Sequence, residues 1–156
     1  MSCCFWLCSC STAKPPEIVT AVNESYSVTD GESEYNCRLD YVNTNTASVT
    51  FLSPATMKNM TYRRADGKYI LQLGSLICKT ESPIRGDKPI ALWLINSFDA
   101  ISSCVPDFSG FNGSECEFKV NSKNGALTVI TDPEGKIKTL KSGGITAKYV
   151  PASNAA

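Results

Sequence analysis

The chain has 156 residues, a length that suits one domain. Its 15 Lys and Arg balance 15 Asp and Glu, so the formal net charge is zero. It therefore lacks the basic surplus that displaces counterions from phosphates, and nucleic acid is not an expected partner. It contains no histidine, which removes the commonest general base near neutral pH and excludes Ser-His-Asp and Cys-His sites within the chain.

Met1 to Cys10 is apolar and uncharged, and Ser11 to Glu17 is polar and carries Pro15 and Pro16. That shift marks residues 1–16 as a truncated signal or anchoring segment with a linker. Ten apolar residues are too few for a bilayer, which takes about 20. Leu7-Cys8-Ser9-Cys10 fits a bacterial lipobox, with an aliphatic residue and two small ones before the cysteine. Cys10 is then the lipid-attachment site, with several acyl chains fixing the protein to the outer side of a bacterial cell membrane. The competing reading is a disordered, cysteine-rich terminus.

Residues 17–150 read as a single β-rich domain and 151–156 as a loose tail. Tyr35, Cys37, Leu39 and Tyr41 alternate with polar residues. So do Val49 and Phe51, and then Cys116, Phe118 and Val120. This period of two suits an antiparallel sheet with one dry face. Asp30-Gly31, Asp66-Gly67, Asn124-Gly125 and Ser142-Gly143-Gly144 supply turn residues that tolerate positive φ. Glu115–Asn121, Ala126–Thr131, Lys136–Lys141 and Ile145–Val150 form a β-meander on this reading, with Asp132-Pro133-Glu134-Gly135 as a type I turn. Leu52 to Met57 reads as a short loop or single turn between strands.

Ile90–Ser103 breaks the pattern. Ile90, Leu94, Phe98 and Ile101 recur at helical spacing, with Trp93 beside them. Asp87 is the expected N-cap, with Pro89 in the first turn. Six consecutive apolar residues, Ile90 to Ile95, require burial on more than one side. The expected fold is mainly β: a curved antiparallel sheet, an incomplete barrel, with one helix across its concave face.

The order of elements carries a resemblance. Ala47 to Tyr62 looks like a strand, a Ser-Pro turn and a second strand, and the pattern runs on through Asp66-Gly67 to Leu76. The helix follows, and Phe118 to Ile137 ends in a strand, an Asp-x-x-Gly turn and a strand. Together these resemble small Firmicutes lipoproteins related to the LolA/LolB-like superfamily, which includes lipoprotein carriers and the envelope-stress regulator RseB. The resemblance spans roughly residues 34–150. It implies a half-barrel whose concavity can hold acyl chains or a lipidated partner.

On that basis Ile90, Trp93, Leu94, Phe98 and Ile101 are the candidate hydrophobic ligand groove. The alternative is a structural or protein-interaction module in which the same residues are filled core. Cys104 and Cys116 bracket a short Gly-rich loop, Val105 to Gly113, and are the candidate disulfide. The competing reading is that Cys37, Cys78 and Cys116 are small buried apolar residues. No catalytic residue, metal site or cofactor is expected: Asp107, Glu115 and Glu117 read as solvated charges, and Asp30, Glu32 and Glu34 surround a turn without EF-hand spacing. The expected function is a non-catalytic, membrane-anchored envelope lipoprotein with an acyl-chain or lipoprotein ligand; the sequence leaves the oligomeric state open.

Overall fold

The computed structural model describes residues 14–84 and 90–152. Two meanders make up its sheet. The first is β1 (Val22–Asp30), β2 (Ser33–Asn43), β3 (Thr46–Ser53), β4 (Thr61–Ala65), β5 (Lys68–Leu73) and β6 (Leu76–Thr80). Helix α1 (Ile90–Ser103) follows. The second is β7 (Asp107–Asn112), β8 (Glu115–Ser122), β9 (Gly125–Thr131), β10 (Ile137–Ser142) and β11 (Ile145–Val150). The first and last strands join the two halves antiparallel, with Tyr26 opposite Tyr149 and Val28 opposite Ala147. The result is one 11-stranded antiparallel sheet in the order β6-β5-β4-β3-β2-β1-β11-β10-β9-β8-β7.

The helix reveals the shape of this sheet. It packs against β2 and β3 on one side and β8 on the other. Five strand spacings separate β2 from β8, about 24 Å along a flat sheet. A helix only about 10–12 Å across reaches both, so the sheet curls around it. Register shifts at Asn36/Cys37, Tyr41/Asn43, Phe108/Gly110 and Ile137/Thr139 supply local twist. Strands β6 and β7 stand at the two ends of the strand order, and the barrel is unclosed.

The inner face is the apolar phase of each strand. Tyr26 and Val28 come from β1, Cys37, Leu39 and Tyr41 from β2, and Ala47, Val49 and Phe51 from β3; Phe118, Val120, Leu127 and Val129 meet them from the other half, all buried. The architecture is the open sheet with one helix that the sequence implied. The helix occupies Ile90–Ser103, as the periodicity required; its proposed cap Asp87 and first-turn Pro89 lie outside the described residues. The meander Glu115–Asn121 to Ile145–Val150 is present, its strand limits shifted by at most one residue.

The reading of the segment after the helix is corrected. Val105 to Gly113 is not a loop: Asp107–Asn112 forms the edge strand β7, pairing Asp107 with Lys119 and Phe111 with Cys116. Gly110, at φ 151°, accommodates the register shift. A strand exposed along most of its length lacks the alternation that reveals a half-buried one.

A candidate ligand cleft at the mouth of the half-barrel

The helix has two working faces. Ile90, Leu94, Phe98 and Ile101 fall on one side and face the sheet. Leu94 and Phe98 are 0% exposed, and Ile101 only 5%. The Phe98 ring meets Tyr41 with centroids 5.4 Å apart and Tyr26 at 6.1 Å. Four of the five residues expected to line a groove are therefore brought together as packed core. Trp93 differs: it is half-buried and borders a small cavity with Asn96, Ser97 and Leu127.

The opposite face carries Leu92, Asn96, Asp99, Ala100 and Ser103, spaced four, three, one and three residues apart. It looks onto a cleft of about 620 Å³. Arg64 and Tyr69 of β4 and β5, with Pro83 beyond them, form one wall. The β8–β9 turn, Ser122 to Asn124, forms the other, and Thr44 of the β2–β3 turn lies on the rim. The Trp93 cavity adjoins this cleft, because Asn96, Ala100, Ser122 and Asn124 border both.

At the base of the cleft is a polar cluster that the sequence alone did not expose. Arg64 Nη1 and Nη2 donate to Asp99 Oδ2 and Oδ1 at 2.6 and 2.8 Å. The Tyr41 hydroxyl donates to Asp99 Oδ1 at 2.9 Å. The side chains of Arg64 and Asp99 are only 8% and 24% exposed. Arg64 faces inward because β4 alternates Tyr62 and Arg64 as its buried positions. The Asp99 carboxylate raises the Arg64 pKa further, so the guanidinium stays charged. Burial, the largest cause, pushes Tyr41 up to about 12, so it remains a neutral donor. The available signals were Arg64 on the apolar phase of a short strand and Asp99 on a largely apolar helix. Each looks like a surface charge until the fold brings them together.

Cys104 and Cys116 are free thiols. Cys116 faces the core from β8, and half-buried Cys104 lines the cleft. Strand β7 separates them. Asp107 already lies opposite Lys119, three residues and about 10 Å along β8 from Cys116, whereas bridged cysteines need Cα atoms within about 7 Å. Cys37 is a buried free thiol, as a small apolar core residue would be, whereas Cys78 is exposed on edge strand β6. The lipid-attachment candidate Cys10 lies outside the described residues. Among the described residues no cluster of three or more acidic or cysteine side chains could hold a metal ion, and no helix is long and apolar enough to cross a membrane.

No protein-family model matches the chain, and no curated protein matches it. Solved structures do. An uncharacterized conserved protein of Thermus thermophilus superposes with a TM-score of 0.52 at 10% identity, over 86% of this chain and 80% of that one. A LolA superfamily protein of Nitrosomonas europaea aligns with a TM-score of 0.41, also at 10% identity, over 85% of this chain and 64% of that one. At 10% identity the Thermus likeness is one of fold.

Proposed function

We propose that this chain is a non-catalytic envelope lipoprotein that holds a hydrophobic ligand, an acyl chain or a lipidated partner segment, in the cleft between its helix and the rim of the half-barrel. Cys10 is the proposed anchor. The observation that carries the binding role is the cleft itself. Small-molecule sites start at about 300 Å³, and this one reaches about 620 Å³. Leu92, Ala100 and Tyr69 supply the apolar part of a mixed lining, Leu92 and Ala100 being 9% exposed each. Ligand burial there contributes about 25 cal/mol per Å² of apolar area. The site is accordingly moved from the sheet-facing side of the helix to its outer side, with Trp93 at one end.

A second reading is favoured by the packing of Leu94, Phe98 and Ile101, which leaves their side of the helix filled. On that reading the protein is an interaction module with no small-molecule ligand.

The discriminating experiment purifies the full chain from a bacterial envelope and analyses extracted lipid by mass spectrometry. A stoichiometric acyl-chain species supports the carrier-like reading. A clean protein that takes up no fatty acid on titration overturns it in favour of the interaction module. The anchor has its own test: metabolic labelling with palmitate is expected to mark the full chain and to be lost in Cys10→Ser. Equal labelling of that variant would remove Cys10 as the attachment point.

A further inference from the structure

We propose that the cleft selects amphiphiles with an anionic head group, held beside Lys123 with the chain running over Leu92 and Ala100. This rests on the cleft being the ligand site and names the class of molecule it takes.

The argument is a charge inventory. The cleft is lined by Arg64, Asp99 and Lys123, one carboxylate against two cations. Arg64 and Asp99 are committed to each other by two short hydrogen bonds, and Tyr41 occupies Asp99 as well. A cationic head group would have to compete with a nearly buried guanidinium for that carboxylate. Lys123 has no ion pair among the described residues, which leaves one uncompensated positive charge on the rim. Asn96, Asn124 and Ser103 line the same cleft with side-chain groups that can donate and that have no side-chain hydrogen bond among the described residues. Donors and a single free cation beside Leu92, Ala100 and Tyr69 match a phosphate or carboxylate carried on an alkyl chain.

The backbone that carries the lysine is a defined turn. Lys123 and Asn124 form the two-residue turn between β8 and β9, closed by the pair Ser122 and Gly125. Ser122 Oγ accepts from the Asn124 amide at 3.2 Å and donates to the Gly125 carbonyl at 3.1 Å. The turn places the Lys123 side chain at the mouth of the cleft, which it helps to line.

Two native thiols make the test direct. Cys104 lines the cleft, whereas Cys78 is exposed on edge strand β6 and is not among the residues that line it. The full chain is alkylated with iodoacetamide and both positions are followed by peptide mass spectrometry. The probes are dodecyl phosphate, dodecyltrimethylammonium and dodecyl maltoside, each below its micelle concentration. Dodecyl phosphate is expected to protect Cys104 at a concentration roughly fivefold lower than the maltoside, the most that one partly exposed ion pair supplies. Cys78 is expected to react at an unchanged rate. Lys123→Gln is expected to abolish the preference, bringing the protective concentration of dodecyl phosphate to that of the maltoside measured on the same variant. Equal protection by all three probes, a preference for the cation, or a preference that survives Lys123→Gln overturns the anionic selectivity while the cleft remains the site. Failure of every probe to protect Cys104 overturns the cleft as well.

Discussion

Asp99 is the residue on which the helix face depends. Its carboxylate receives two bonds from Arg64 and one from Tyr41, tying α1 to β4 and β2. Removing the cation alone leaves a mostly buried carboxylate uncompensated. Arg64→Met is therefore expected to cost about 3 kcal/mol in urea unfolding, and the double variant Arg64→Met/Asp99→Leu to recover most of it. A double variant as unstable as the single one would show that the pair contributes more than mutual compensation. Cys37 and Tyr41 predict a separate pH effect. Burial, the main cause in both, pushes each of them up to about 12, from 9.0 for the thiol and 10.0 for the phenol. The unfolded chain loses these protons first, so both contributions are intact below pH 9 and decline between pH 9 and 12 for Cys37 and between 10 and 12 for Tyr41. Each group adds a slope of at most about 1.4 kcal/mol per pH unit. Cys37→Ala is expected to flatten the part of the decline that begins near pH 9, measured as the slope of unfolding free energy against pH.

The helix carries its two roles on opposite faces, which makes them separable. Phe98 packs between Tyr26 and Tyr41 with no exposed surface. Phe98→Ala is expected to destabilise the fold by about 3–5 kcal/mol through the cavity it leaves. Trp93 stands half-buried where the smaller cavity adjoins the cleft. Trp93→Ala is expected to weaken uptake of an alkyl-chain probe more than it lowers the unfolding free energy. Equal losses in titration and in urea unfolding would return Trp93 to the core. The helix was legible from its sequence because Ile90, Leu94, Phe98 and Ile101 repeat at one period. The role of its other face was not, because Leu92, Asn96, Asp99, Ala100 and Ser103 have mixed polarity and gain meaning only from the strand ends that surround them. The Cys104–Cys116 expectation failed for a related reason. Short separation in sequence suggested a bridge, but an intervening edge strand spends that separation on distance.

At the scale of the whole molecule, two meanders are stitched through the first and last strands, with Tyr26 beside Tyr149. The cleft draws its walls from both, with Thr44, Arg64 and Tyr69 before the helix and Ser122 to Asn124 after it. Ligand binding there links the halves and should stabilise the entire fold. Dodecyl phosphate at a hundredfold its Kd is expected to raise the unfolding free energy by about 2.7 kcal/mol. An unchanged urea midpoint at saturating probe would show that binding does not favour the native state.

The sequence by itself determined the fold class, most strands of the sheet and the limits of its helix. These follow from local rules: a period of two, a period near 3.6, and turn residues that allow positive φ. The absence of histidine likewise closed off whole classes of catalysis without reference to shape. Only the tertiary structure decided which apolar residues are filled core and which border open space. Both kinds look alike along the chain, and their difference lies in what a curled sheet brings against them. The same curl turned Arg64 and Asp99, 35 residues apart, into one buried pair, because long-range contact depends on the path of the backbone and not on the local pattern.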